Sequence, residues 1–142
     1  FFLIWGNRNF NEPLDGIVYG VFVSLGFAWA ENVIYVTHPI LGGYETAFAR
    51  ALLSVPGHGL FGVRMGYYFA LGKYRSRKRY LPLAFFSPYL AHALYNYFLL
   101  KREPVFWLFF SVLEARLWVF GLKRIKELQN CSPFREKVSK ES

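Results

Sequence analysis

Three ionisable side chains lie inside apolar stretches of this 142-residue chain. Glu31 follows the run GFAWA, His58 lies within PGHG, and His92 begins the pattern HALYN, which ends at Asn96. A carboxylate or an imidazole can take a proton from water, and an imidazole or an amide can donate hydrogen bonds to a developing oxyanion. These residue types suit hydrolysis of a peptide bond without a covalent intermediate, provided that the fold brings them together.

The same residues support other interpretations. Two histidines and one glutamate form a known catalytic ligand set for zinc, so the three side chains could instead bind that metal. Glu31 could also form a structural ion pair with Arg50, and His92 could serve only as a hydrogen-bonding residue between helices. Residue types and spacing alone do not choose among these alternatives.

Four long apolar segments must position these residues, and a membrane-spanning helix needs roughly 20 residues. The predicted helices are 14–36, 44–71, 80–100 and 104–122. Pro56, followed by Gly57, predicts a kink or a break within the second helix. The spacings Gly16-Gly20 and Gly62-Gly66 predict close helix packing. The predicted fold class is therefore all-α, a polytopic transmembrane bundle with four membrane helices in this chain.

The composition indicates an integral membrane protein. The chain is 54% hydrophobic and 21% aromatic, whereas a soluble domain is typically about 45–50% apolar. Its formal net charge of +8 does not indicate a nucleic-acid partner, because the basic residues flank the apolar runs. The single cysteine, Cys131, excludes an internal disulfide and a cysteine metal cluster. Glu114 and Arg116 do not face each other on a helix and are interpreted as structural or close to a membrane boundary.

Positive charge predicts the orientation of the helices. Residues 73–79 carry five Lys or Arg, and the segment after Leu122 carries six. Both segments are expected in the cytoplasm, with the loops at 38–45 and 101–103 outside. The predicted domains are a membrane core at 1–125 and a polar cytoplasmic tail at 126–142. Helix rise then places Glu31, His92 and His58 about 7, 12 and 20 Å from the outer helix ends, so they could meet in the outer half of the membrane.

Three segments resemble the PrsW family of intramembrane proteases. FNEPLDGIVYGVFVSLGFAWAENVIY (10–35) closely resembles the family signature, RALLSVPGHGLFGVRMGYYFALGK (50–73) its histidine segment, and LAHALYNY (90–97) its HxxxN segment. Together they cover nearly the whole membrane part in the family's order. The family is similar to the CAAX-protease and bacteriocin-processing superfamily, which implies an all-helical membrane fold. The resemblance also implies cleavage of a single-pass, anti-sigma-factor-like membrane protein on its outer side.

The resemblance assigns roles to individual residues. It implies that Glu31, His58 and His92 line the catalytic site and that Asn96 holds the oxyanion. Phe27 and Glu31 have the superfamily's FxxxH spacing, with the glutamate in place of the histidine. The expected supporting residues are Asn32 and Arg50.

The chain departs from the family's pattern at the family's first motif. This motif is a glutamate pair followed by a basic residue (EExxK), it is expected to activate the water, and it does not occur in the sequence. Because FFLIWGN resembles the end of the helix that carries it, we expect the motif just before Phe1. The chain as given is then expected to be a fragment without activity.

The preferred hypothesis is a glutamate-type intramembrane endopeptidase in the cell membrane, with no metal and no cofactor. Its expected partners are a single-pass membrane substrate and the lipid bilayer. Two alternatives remain open. One is a zinc-dependent membrane metalloprotease using the same three side chains, and the other is a non-catalytic protein that binds a partner's transmembrane helix in the same groove.

Overall fold

The computed structural model describes residues 2–40, 43–101 and 103–134, apart from the side chains of Phe2 and Thr46. All regular secondary structure in these ranges is helical, which confirms the predicted all-α class. The helices are α1 (Phe2–Trp5), α2 (Pro13–Thr37), α3 (Tyr44–Leu52), α4 (Ser54–Tyr74), α5 (Arg77–Leu100) and α6 (Pro104–Asn130).

Two of the helices, α2 and α6, are long and apolar enough to cross a membrane. Only 22% of the apolar window in α2 and 17% of that in α6 are buried against the rest of the chain, so an apolar solvent would have to cover much of what remains. The more polar helices α4 and α5, which carry the histidines, do not meet the same criterion. Crossing of the membrane by all four helices therefore stays a prediction.

The start of α2 is closed by a carboxylate. Pro13 occupies the first turn, where its missing N–H has no intrahelical partner to lose. The Asp15 carboxylate accepts hydrogen bonds from the backbone N–H groups of Asn11 and Glu12, each at 3.0 Å. These contacts fix the beginning of the helix that carries Glu31.

The predicted break in the second apolar segment is confirmed, and it separates α3 from α4 at Leu53. Pro56 explains its position, because a proline ring clashes with the carbonyl four residues earlier, here that of Leu52. The Leu53 carbonyl accepts hydrogen bonds from the Gly57 N–H at 3.1 Å and from the Tyr95 hydroxyl at 2.7 Å. The break thus gains a hydrogen-bonded support from α5.

Helix α4 lies at the centre of the bundle and packs most closely against α2. A Cβ atom on Gly66 would lie 2.1 Å from the Gly16 carbonyl oxygen, and one on Gly20 would lie 2.5 Å from that of Gly62. Since no real Cβ atom approaches an oxygen so closely, these positions require glycine. The close packing predicted from the two glycine pairs is present.

Helix α6 is longer than predicted, because it continues past Leu122 to Asn130. Its last turns are amphipathic. Leu128 is buried beside Ile17 and Tyr67, and Tyr67 donates a hydrogen bond to Glu127 at 3.2 Å. The predicted boundary between core and tail, at residue 125, therefore falls inside a packed helix. Residues 135–142, the rest of the predicted tail, lie outside the described residues.

Candidate active site

Three helices bring the predicted residues to one point. Glu31 lies near the end of α2, His58 in the second turn of α4, and His92 in the second half of α5. One carboxylate oxygen and one ring nitrogen from each histidine all lie within 4.8 Å of one another. The structure thus places together the three residues that the sequence had suggested for a joint site.

Glu31 is the centre of this cluster. Its Oε2 atom lies 2.7 Å from Arg50 Nη2 and 3.0 Å from His58 Nε2, while Oε1 lies 3.8 Å from His92 Nε2. The exposed fractions of the side chains are 15% for Glu31, 4% for His58 and 23% for His92. His58 is therefore the deep member of the cluster, and His92 is the member most open to its surroundings.

Arg50 holds the carboxylate from α3. Its Nε donates to Asn32 Oδ1 at 2.7 Å, and its Nη2 donates to Ser54 Oγ at 3.1 Å as well as to Glu31. The guanidinium also lies over the Tyr35 ring, 3.9 Å from its centroid. Of the two predicted supporting residues, Arg50 contacts Glu31 directly and Asn32 contacts Arg50. The ion pair considered from the sequence is present, and it belongs to the same cluster as the histidines.

Asn96 lies one helical turn after His92 and contacts it directly. The Asn96 amide nitrogen lies 2.9 Å from His92 Nε2; an amide nitrogen can only donate, so the ring nitrogen accepts. This contact orients the His92 ring. The expectation that Asn96 holds an oxyanion stays a prediction.

Aromatic rings enclose the two imidazoles. The His58 and His92 ring centroids lie 4.8 Å apart. Phe27 lies 5.6 Å from His58 and 6.0 Å from His92, and Phe61 lies 5.6 and 5.3 Å from the same rings. Such apolar surroundings strengthen the electrostatic interactions of the cluster. The rings of Phe27 and Phe61 belong to an open groove between α2, α4 and α5 that reaches both histidines.

Two supporting contacts were not predicted from the sequence. Ser24 Oγ donates to the His58 carbonyl at 2.6 Å, and the Tyr95 hydroxyl donates to Leu53 at the break. Helical spacing could have suggested both, since Ser24 lies seven residues before Glu31 and Tyr95 lies three residues after His92. A Cβ on Gly57 would lie 3.0 Å from the Tyr95 ring, so this glycine makes room for the tyrosine.

The cluster also fits a metal ion by its donor chemistry. Two imidazole nitrogens and a carboxylate oxygen are a catalytic zinc ligand set, with bonds of about 2.0–2.2 Å. Donor atoms already within 4.8 Å of one another need only small side-chain movements to share an ion. Glu31, His58 and His92 are the residues that would hold it.

Comparison with known proteins now identifies the family. A family model described as PrsW family intramembrane metalloprotease matches residues 1–120. The chain belongs to this family. The resemblance stated from the three motif segments is thereby confirmed.

Curated PrsW proteins are similar to most of this chain. Protease PrsW of Geobacillus kaustophilus is 41% identical over 130 residues, which are 89% of this chain and 56% of that protein. The protein of the same name from Oceanobacillus iheyensis is 42% identical over 127 residues, 88% of this chain and 57% of that protein. Protease PrsW of Bacillus subtilis is 37% identical over 131 residues, 89% of this chain and 58% of that protein.

The chain spans a little over half the length of these PrsW relatives. No solved structure matches it.

Proposed function

We propose that the chain acts in an intramembrane endopeptidase that hydrolyses a peptide bond of a membrane-anchored substrate. The observation that carries this proposal is the convergence of Glu31, His58 and His92 from three helices. A charged side chain at membrane depth costs at least about 2.5–3.5 kcal/mol, so such a cluster is expected to have a function. Membership of a family of intramembrane proteases supplies the reaction class.

In this proposal, Glu31 Oε1 accepts the proton of the attacking water. The other carboxylate oxygen is already bound by Arg50 and His58. Oε1 lies 3.8 Å from His92 Nε2, beyond hydrogen-bond distance, and so keeps its capacity to accept a proton. Arg50, whose Nη2 lies 2.7 Å from Glu31 Oε2, supplies a compensating positive charge.

In the same proposal, His58 exchanges a proton with the carboxylate and His92 faces the substrate. His58 Nε2 contacts the same carboxylate as Arg50 and can exchange a proton with it. His92, the more exposed ring, faces the groove between α2, α4 and α5, where a peptide can approach. Asn96 fixes the ring of His92 and, on turning towards the groove, supplies an amide donor for the oxyanion.

A metal-bound form of the same site is the second candidate. The donor set and the description of the family as metalloproteases both favour it. A bound zinc ion would lower the pKa of a coordinated water and polarise the substrate carbonyl. Asn96 would then have to release the nitrogen of His92 that it now contacts.

The proposed topology places the cluster in the outer half of the membrane. Helices α2, α4, α5 and α6 cross the bilayer, and the basic segments at 73–79 and after Leu122 face the cytoplasm. The side chains of Tyr44, Phe48 and Leu52 are exposed along one face of α3, as expected for a short helix lying in the membrane surface. The proposed substrate is a single-pass, anti-sigma-factor-like protein cut on its outer side.

Three substitutions in the natural full-length protein test the proposal. Glu31→Gln, His58→Ala and His92→Ala should each reduce cleavage of a membrane-anchored reporter by about 10²–10⁴-fold, because each removes a proton-transferring or ligating group. The matched control is Glu45→Gln, which changes an exposed glutamate on α3. Normal cleavage in all three variants, with folding intact by circular dichroism, would refute the site.

Metal analysis separates the two forms of the mechanism. One equivalent of metal in active wild-type protein, lost in His92→Ala together with the activity, would support the metal-bound form. Full activity in protein stripped of metal by a chelator would support proton transfer by Glu31 alone.

A further inference from the structure

Two arginines line a second groove, away from the candidate active site. Arg64 on α4 and Arg116 on α6 border an open groove along α5. The α5 residues of this groove include Leu83, Ser87 and Leu94, which lie on the helix face opposite to His92. The groove is therefore separate from the site that contains the histidines.

The positive charges of this groove have no acidic partner in the part of the chain that the structure describes. The Arg64 side chain donates from Nε to Ser87 Oγ, and its guanidinium lies 4.7 Å from the centroid of the Phe120 ring. Arg116 is exposed. Glu114 projects from another face of α6, where its Oε1 accepts the Trp118 Nε1–H at 3.0 Å. Two guanidinium groups thus share one groove without a carboxylate.

Both arginines lie near the middle of their helices. Arg64 lies ten residues before the end of α4, and Arg116 lies twelve residues after the start of α6. At 1.5 Å per residue these positions are about 15 and 18 Å from the helix ends, close to the middle of a hydrocarbon layer about 30 Å thick. A lipid headgroup at the surface is too far away to neutralise them, whereas a carboxylate on a neighbouring transmembrane helix lies at the right depth.

The walls of the groove have the form of a helix-packing surface. Leu83, Phe86, Leu90 and Leu94 follow one another at helical spacing along α5, with exposed fractions of 39%, 63%, 60% and 39%. Leu117 of α6 belongs to the facing wall. A stripe of this period normally packs against another helix.

We propose that this groove binds a transmembrane helix that carries a glutamate or aspartate at mid-membrane depth. The apolar stripe of α5 would pack along the helix, and Arg64 and Arg116 would pair with its carboxylate. This inference rests on the proposed membrane topology but not on proteolysis. The partner can be the substrate itself or another membrane protein, and its recognition does not involve the candidate active site.

A binding assay with designed peptides tests this proposal. The intact protein is reconstituted in phosphatidylcholine vesicles with a fluorescent poly-leucine transmembrane peptide that has one central Glu, or Gln at the same position. Energy transfer at neutral pH should show at least about tenfold tighter binding of the Glu peptide, as expected for a desolvated charge pair. The double variant Arg64→Gln/Arg116→Gln should lose this preference. The control Lys123→Gln, which removes an exposed cation on α6 outside the groove, should keep it.

Further variants keep the result interpretable. The double variant Arg64→Glu/Arg116→Glu should reverse the preference, so that a peptide with a central Lys binds more tightly than the Glu peptide; this outcome shows a folded groove. Equal binding of the Glu and Gln peptides to wild-type protein would overturn the proposal, and so would a preference that survives in the double variant. Displacement of the peptide by phosphatidylglycerol, with lipid binding that depends on both arginines, would assign the groove to an anionic lipid instead. Because no cleavage is measured, these outcomes are independent of the proposed enzymatic activity.

Discussion

The candidate active site and the arginine groove both place charge inside an apolar bundle, but they differ in how that charge is compensated. In the active-site cluster, Arg50 contacts the Glu31 carboxylate at 2.7 Å and is also bound by Asn32 and Ser54. In the groove, Arg64 and Arg116 have no carboxylate within ion-pair distance among the residues that the structure describes. The first region is electrostatically complete within the chain, whereas the second needs a partner.

Charge compensation within the chain distinguishes an internal site from a binding surface. A compensated cluster can hold its groups in fixed positions before substrate arrives, which is what catalysis requires. An uncompensated charge at membrane depth is instead unfavourable, so the free energy of the protein falls when an incoming carboxylate pairs with it. Removing a cation should therefore have opposite effects on stability in the two regions.

The largest expected effect is the loss of the cation in the active-site cluster. Arg50→Met should destabilise the protein by up to about 3–5 kcal/mol, because it leaves the half-buried Glu31 carboxylate without its cation. The free energy of unfolding in mixed detergent micelles measures this effect. The double variant Arg50→Met/Glu31→Gln should recover much of the stability, since no unpaired charge remains. Wild-type stability of Arg50→Met alone would contradict compensation of the Glu31 charge by Arg50.

In the arginine groove, removal of a cation is expected to raise the stability of the protein rather than lower it. Arg116→Leu should stabilise the protein in vesicles without a partner, by at most about 2.5–3.5 kcal/mol, because an unpaired charge leaves the membrane interior. Exposure of the side chain lowers the gain, so the sign is more informative than the size. Resistance to denaturation in phosphatidylcholine vesicles is the measurement, with Lys123→Leu, just after the predicted membrane span 104–122, as the control. Destabilisation by Arg116→Leu would indicate that the arginine already has a partner within the protein.

The polar residues of the active site could be predicted from the sequence because each interrupts an apolar run. Glu31, His58 and His92 are conspicuous for this reason, and counting along the helices indicated that they could meet in the outer half of the membrane. The break near Pro56 was predictable from the geometry of proline alone. These inferences depend on local chemistry and therefore need no knowledge of how the helices pack.

Features that depend on packing could not be predicted in the same way. Helix α6 continues to Asn130 because Leu128 is buried against α2 and α4, a contact that the charged sequence KRIKELQN conceals. Arg116 was interpreted, with Glu114, as structural or close to a membrane boundary. The groove that Arg116 shares with Arg64 could not be predicted, because the two arginines are far apart along the chain. The hydrogen bond between Tyr95 and Leu53 likewise joins residues that are 42 positions apart.

An intermediate loss of stability is expected where α2 and α4 pack closely through their glycines, a contact that positions Glu31 relative to His58. Gly66→Ala should destabilise the protein by about 1–3 kcal/mol, because the added Cβ would collide with the backbone of α2. Gly59→Ala is the matched control on the same helix, since a Cβ there has no atom within 4 Å. The control should be neutral or slightly stabilised by the better helix propensity of alanine. Equal unfolding free energies for the two variants would contradict the close packing of α2 and α4.

The smallest expected effect concerns the hydrogen bond that supports the break beside the active site. Tyr95→Phe should lower the free energy of unfolding by about 1 kcal/mol, because the Leu53 carbonyl loses the hydroxyl donor at 2.7 Å while the ring still fills its place. Since Leu53 separates Arg50 from His58, the same variant should also reduce kcat more than it changes KM. Tyr97→Phe, on the exposed side of α5, is the control and should change neither quantity. A loss of stability in Tyr95→Phe without any loss of kcat would show that the break between α3 and α4 supports the fold but does not position the active-site cluster. In that case, only the side chains in direct contact with Glu31 would compensate its charge and hold it in place.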